Sequence, residues 1–258
     1  MNISIVPLTL RLGDKEYVDD ESLDINEYLN DMGSCQSAPQ TSCPSVNDFI
    51  ERFRESDNIF VVTLSSKISG TYNSAMLAKN MIIENFKDKY IHIFDSLSAS
   101  VGETLVSQKI HSYIKANLSL SEIVEKVSGY ISEMKTFFLL ENIDNLAKSG
   151  RISPIIAKVG SLLNIKPIMG SDGNGNIRLV EKARGYKKAF QRLIETIGEH
   201  GSRLDEKILG IAHCNCINRA LEFKDQVLRK YNFKDIIIVE MRGLSTTYAN
   251  NGGIVIAF

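Results

Sequence analysis

No apolar run in this chain approaches the roughly 20 residues that a membrane-spanning helix needs. The first six residues, MNISIV, lack the basic start and apolar stretch of a signal peptide. A cytoplasmic address is therefore the default expectation. Neither charge sign dominates: 30 basic against 31 acidic side chains leave a net charge of −1. That balance excludes the broad electrostatic footprint expected for nucleic acid or anionic lipid headgroups. Four cysteines in 258 residues are too few for a disulfide scaffold. Cys214 and Cys216 follow His213 as a C-x-C, but no second ligand cluster is spaced to close a metal site. They read better as small thiols packed at alternate positions on one face. No tract is of low complexity, and no internal repeat is visible.

What the chain does contain is an alternation of strand-like and helix-like patterns, the signature of an α/β architecture. Residues 3–12 read as a strand, returned toward Tyr17 and Val18 by a turn at Gly13-Asp14-Lys15. Residues 33–45, rich in Ser, Gln and Pro, read as loop. Residues 59–64 form a continuous apolar strand of the kind buried on both faces of a parallel sheet. Two helical patterns, 99–116 and 120–134, are separated by Asn117-Leu118-Ser119, with Ser119 and Glu122 spaced as a capping box. Strands are expected at 136–140, 165–169, 177–182, 207–213, 235–241 and 252–258, and helices at 186–198 and 218–230. The string GSDGNGN at 170–176 lacks the Lys-Ser/Thr of a phosphate loop and leads into a strand, so it reads as a hairpin turn. The long helices stop near Lys135, which places a boundary between residues 1–134 and 135–258.

The local feature that most invites function is TLSSKISGTYNSA, residues 63–75, directly after the apolar strand. A strand ending in a polar turn that opens a helix sits at the carboxyl edge of a sheet, where open α/β folds commonly bind ligands. The first helical turn leaves N–H groups unpaired and favours an anion. Ser69 is spaced as an N-cap or first-turn residue, and Gly70 would let a ligand approach the backbone. A second hydroxyl pair, Thr41-Ser42, lies in the earlier loop. Neither cluster contains an arginine, and hydroxyls with amide N–H groups suit a carboxyl group better than a phosphate dianion. Ordinary helix capping explains the same residues without any ligand.

Other chemistry is thinner. Ser69 lies in ISGTY, not in G-x-S-x-G, and no carboxylate pair or metal cluster stands out. Of His92, His111, His200 and His213, only His213 ends a strand where catalytic groups commonly lie, and a structural role suits it better. KSGRIS, residues 148–153, fits an anion clamp but fits a helix stop followed by Pro154 better. EKARGYKKA, residues 181–189, concentrates Lys182, Arg184, Lys187 and Lys188 into a basic patch, either a docking surface or a solvated face.

Seven strings in order, VPLTLRLGDKEYVDD (6–20), TSCPS (41–45), LSSKISGTYNSA (64–75), FDSLSAS (94–100), LAKSGRIS (146–153), LLNIKPIM (162–169) and STTYANNGGIVIAF (245–258), carry a resemblance to the DegV family of bacterial fatty-acid-binding proteins. The resemblance implies two α/β domains, a parallel-sheet N-terminal domain and a mixed-sheet C-terminal domain, with a lipid site between them. It implies a long-chain fatty acid such as palmitate as ligand, with no cofactor, no catalytic residue and no metal. The carboxyl-holding roles carry onto Thr41 and Ser42, onto Ser69 and Gly70, and onto Tyr248. Family members paired with a separate ATP-dependent fatty acid kinase present the carboxyl group for acyl-phosphate formation. Arg184, Lys187 and Lys188 match the surface that docks the kinase. Two features depart from the family. The chain starts later than family members that place another strand before VPL. Tyr248 stands where many kinase-linked members have a histidine, and a phenol donates a hydrogen bond without shuttling a proton near neutral pH. A lipid-responsive protein without a kinase partner is the alternative, and a hydrolase or kinase-like enzyme the less favoured one.

Overall fold

The computed structural model describes residues 3–160 and 162–258. Strand β1 (Thr9–Leu12) turns at Gly13, where φ is +59°, into β2 (Lys15–Val18). Helix α1 (Ile25–Ser34) follows, with the Asp24 carboxylate accepting the N–H groups of Asn26 and Glu27. The expected loop then contains a strand: β3 (Gln40–Ser42) pairs antiparallel with the free edge of β1, setting Thr41 opposite Leu10. The first expected strand is also shorter than 3–12, since pairing begins only at Thr9. Helix α2 (Val46–Phe53) opens with a Ser45/Asp48 capping box.

Strand β4 (Asn58–Thr63), helix α3 (Thr71–Asn85) and strand β5 (Tyr90–Asp95) form a right-sized crossover unit, with β4 and β5 parallel. They make a two-stranded sheet, and most of β4 is only half-buried, which corrects the expectation of burial on both faces. Helix α4 (Val101–Lys115) and helix α5 (Leu120–Glu133) come next, and the Ser119/Glu122 capping box is present.

After β6 (Thr136–Leu139) come the short helices α6 (Asp144–Lys148) and α7 (Pro154–Gly160), then the hairpin β7 (Ile165–Ser171) and β8 (Ile177–Arg184). Helix α8 (Tyr186–His200), a 3-10 turn (Leu204–Glu206), β9 (Ile208–His213), α9 (Ile217–Leu228) and β10 (Asp235–Glu240) follow. The chain ends with α10 (Gly243–Ala249) and β11 (Ile254–Ala257). The six-stranded mixed sheet has the order β10-β9-β11-β6-β7-β8. Its β9–β10 pair is parallel, while β11 runs antiparallel to both β9 and β6. No helix is long and apolar enough to cross a membrane among the described residues.

Period-two alternation assigns the two faces of this sheet. Phe137, Leu139, Ile254 and Ile256 join the core under α8 and α9. Phe138, Leu140 and Ala257 face the core built by α4 and α5, which crosses from the first half of the chain into the second. Helix α4 lies close against β9, where a Cβ on Gly210 would stand 2.4 Å from Val101 Cγ2. The β7–β8 turn also locks the halves together. Gly175, at φ +90°, presents its carbonyl to the Ser65 hydroxyl at 2.8 Å, and a side chain there would collide with Ser65.

Glu103, in the first turn of α4, accepts the Ser100 N–H at 3.1 Å. Burial pushes its carboxyl up to about 8. A carboxyl raised in the folded state contributes stability that is complete below the unfolded value near 4.5 and lost as pH rises through about 8. Thermal unfolding should therefore fall by several degrees across that window, for a loss on the order of a few kcal/mol. Glu103→Gln, which keeps the cap acceptor, should flatten the profile and raise the melting temperature above pH 8. Parallel melting curves for the two proteins would remove Glu103 as the cause.

Candidate functional site

The hydroxyl-rich turn after β4 spends part of its polarity on structure. Ser65 is fully buried, takes the Ser98 carbonyl with its N–H at 2.8 Å and donates its hydroxyl to Gly175. Ser66 N–H reaches the Asp95 carboxylate at 3.2 Å. The N-cap of α3 is Gly70 instead of Ser69, and no side chain caps it. Ser69 stands one residue earlier, where its Oγ accepts the Thr71 N–H at 3.3 Å and lies 2.8 Å from Thr71 Oγ1. A Cβ on Gly70 would sit 3.2 Å from Cys43 Sγ, so glycine lets the β3–α2 loop close against the start of α3.

Helix α10 completes this corner. The Asp19 carboxylate accepts the N–H groups of Gly243 at 2.8 Å and Leu244 at 2.7 Å, meeting the positive end of the helix. Tyr28 and Thr247 join their hydroxyls at 2.7 Å, and Asn145 donates to the Thr247 carbonyl at 2.7 Å. So held, α10 presents Tyr248, whose hydroxyl lies 2.8 Å from Thr41 Oγ1. Arg151 enters from the loop after α6. Its Nε donates to the Ile68 carbonyl at 3.2 Å, and its guanidinium carbon stands 5.9 Å from the Tyr248 ring centre.

These groups share one cavity of about 410 Å³. Thr41, Ser42, Ser69, Gly70 and Tyr248 all line it, so five residues separated by up to 207 positions are brought together. The remainder of the wall is mainly apolar, with Leu97, Phe138, Leu140, Leu146, Ile177 and Val255 contributing. Two sequence expectations are corrected here. A guanidinium is present, because KSGRIS both ends α6 and delivers Arg151 to the wall. Thr41 and Ser42 sit on a strand, which aims them with a rigidity a loop would lack. The sequence signal for Arg151 existed in the Lys148/Arg151 pair, but only the fold supplies its neighbours.

Chemically, the cavity suits an amphiphile with a small acidic head. Hydroxyls donate to a carboxylate, the guanidinium favours its ionised form, and the apolar wall takes a chain. No histidine, aspartate or glutamate lines it among the described residues, so Ser69 has no base beside it. His213 is elsewhere, 4% exposed at the end of β9, with Nδ1 accepting the Cys216 N–H at 3.4 Å and burial lowering its pKa. Cys214 is buried against Thr246, and Cys216 is the N-cap of α9, so the two thiols do not share a strand face. Arg184, Lys187 and Lys188 are exposed at the end of β8 and the start of α8, outside the cavity wall. Along β8, Arg184 stands roughly 23 Å from cavity-lining Ile177.

The family model described as "Uncharacterised protein, DegV family" matches residues 1–258. A DegV domain-containing protein of Streptococcus gordonii is 35% identical over 257 residues, covering 100% of this chain and 91% of the relative. Among solved structures, a DegV family protein of Ruminococcus gnavus with vaccenic acid superposes with a TM-score of 0.94 at 42% identity, over 98% of this chain and 90% of its own. The Streptococcus pneumoniae fatty acid kinase B3 protein, loaded with linoleic acid, does so with a TM-score of 0.92 at 35% identity, over 98% and 89%.

Proposed function

The chain belongs to the DegV family, and on that premise we propose that it is a non-catalytic, cytoplasmic carrier of one long-chain fatty acid. It presents the carboxyl group to a separate fatty acid kinase, which forms the acyl-phosphate. The observation that carries this reading is a single, mainly apolar cavity whose wall includes the hydroxyls of Thr41, Ser42, Ser69 and Tyr248 and the Arg151 guanidinium. Thr41, Ser42, Ser69 and Tyr248 hold the carboxyl oxygens, Gly70 lets them approach the backbone, and Arg151 supplies the countercharge. Residues 1–134 and 135–258 act as two lobes closing on the lipid. Arg184, Lys187 and Lys188 form the kinase-docking surface. No cofactor takes part.

Energetics favour this division of labour. Burying roughly 14 methylenes of a sixteen-carbon acid such as palmitate gains about 11 kcal/mol gross. Association and ordering remove about 4 kcal/mol or more. Burying the head without partners would cost on the order of 2–7 kcal/mol even when neutral. The tail thus supplies affinity, and the polar corner fixes orientation.

Native mass spectrometry of freshly purified protein, followed by lipid extraction, tests the binding step. One fatty acid per chain is the expected result, and a clean apo mass that stays unchanged with added palmitate or oleate would overturn it. One observation favours a second reading, a lipid-responsive protein without a kinase. Tyr248 Oη already pairs with Thr41 and lacks the proton-carrying ability of an imidazole near neutral pH. A lipid-loaded protein that yields no acyl-phosphate with a fatty acid kinase and ATP would favour that reading.

A further inference from the structure

The two hydroxyls joined at 2.8 Å in the polar corner come from opposite halves of the chain, Thr41 on β3 and Tyr248 on α10. Both are nevertheless referenced to one platform, the three-stranded sheet β2-β1-β3. Thr41 belongs to it directly, paired opposite Leu10 of β1. Tyr248 reaches it through Asp19, the residue that follows β2 and donates its own N–H to the Leu8 carbonyl at 2.9 Å.

Asp19 grips the start of α10 with both carboxylate oxygens. Oδ1 accepts from Gly243 and Oδ2 from Leu244, so neither oxygen can be given up without freeing an N–H group. The fit is close: a Cβ on Gly243 would stand 2.5 Å from Leu10 Cδ1 and 2.7 Å from Asp19 Oδ1. Glycine is therefore what lets the helix seat against the hairpin. Arg242 donates to the Asp20 carbonyl at 2.7 Å, and Leu244 packs on the small core of Leu10, Leu12 and Tyr28. Burial pushes the Asp19 carboxyl up, while the two N–H groups and Arg242 pull it back toward the charged form.

Tyr248 lies one helical turn beyond Leu244, about 6 Å along the axis, and both side chains line the cavity. A single hydrogen-bonded turn carries any displacement at Asp19 to the Tyr248 hydroxyl.

We propose that Asp19 is a positioning residue for the head group: by fixing the start of α10 on the three-stranded sheet, it sets how Tyr248 stands to Thr41 where the carboxylate is received. The grip on the head group is then made or lost together with the docking of α10. The inference rests on the carrier reading above and adds a residue that does not itself line the cavity. Asparagine in its place has nearly the same shape, but it offers one oxygen and turns an NH₂ group toward a backbone N–H.

The test loads the full-length protein with palmitate isotope-labelled at its carboxyl carbon. It reads the NMR resonance of that carbon and the rate of palmitate release to phosphatidylcholine vesicles. Tyr248→Phe should move the resonance and speed release about tenfold. Asp19→Asn should move it in the same direction and speed release by a similar factor. The double variant should go no further than Tyr248→Phe alone, because Asp19 acts through Tyr248. Asp19→Glu, which keeps both oxygens, should recover most of the original resonance. Asp19→Ser takes the place of Asp19→Asn should that protein not fold, with the same outcome expected. A lowered melting temperature with resonance and release rate unchanged would leave Asp19 a purely structural cap and overturn the proposal. Effects that multiply to about a hundredfold in the double variant would overturn it too. An unsubstituted protein that takes up no palmitate would overturn the carrier reading and this proposal with it, whereas the two preceding results leave the carrier reading standing.

Discussion

Val255→Trp is expected to weaken retention of long-chain fatty acid more than a hundredfold. Val255 sits on β11 between Ile254 and Ile256, which point into the α8/α9 core, so its own side chain faces the opposite way, onto the cavity. An indole there occupies space the acyl chain would use. Excluding about four methylenes removes about 3 kcal/mol of burial, which corresponds to that loss. Lipid extraction should find either no fatty acid or a shorter one. Val255→Phe should give an intermediate loss and guards against misfolding of the larger variant. Full occupancy by the same acid in a folded Val255→Trp protein would show that the chain runs elsewhere.

Ser69→Ala should separate holding from handing over. Its hydroxyl lies at the start of α3, tied to Thr71 and lining the cavity, and in the carrier reading proposed above it receives the carboxyl group. A hydrogen bond to a charged group contributes about 1.5–3 kcal/mol, so acyl-phosphate formation with a fatty acid kinase should fall roughly 10- to 100-fold. Lipid occupancy after purification should remain near one per chain, because the apolar wall and Arg151 are intact. The comparison is made by lipid mass analysis beside a timed phosphorylation assay. Loss of lipid with an unchanged rate per bound lipid would sink the assignment.

How much of this was legible in the sequence depended on how local the signal was. The capping box at Ser119 brings a helix start and its partner Glu122 within three residues, and the structure contains it. The alternation of Phe137, Phe138, Leu139 and Leu140 likewise declares a strand with two covered faces. Strand β3 was hidden because Gln40, Thr41 and Ser42 have no apolar alternation; they are extended because β1 offers them an edge. Helix α10 was hidden because its stabilising carboxylate, Asp19, lies more than 220 residues away. The hydroxyl turn could be found from strand, polar turn and helix in succession. Its completion by Arg151 was not read from KSGRIS, and Tyr248 was reached only through the family resemblance, since tertiary packing brings both to the turn.

The wall of the cavity proposed to hold the lipid draws on residues from Leu8 to Val255. On the carrier reading, few local openings would loosen the chain without also disturbing the bound acid, and occupancy would feed into the lifetime of the entire molecule. At a ligand concentration a hundred times Kd, loading stabilises the native state by about 2.7 kcal/mol. In a cell, where proteases sample the unfolded fraction, that difference would make loaded copies outlast empty ones. The abundance of the protein would then track lipid supply without any dedicated sensor, simply because the two ends of the chain meet around the cargo.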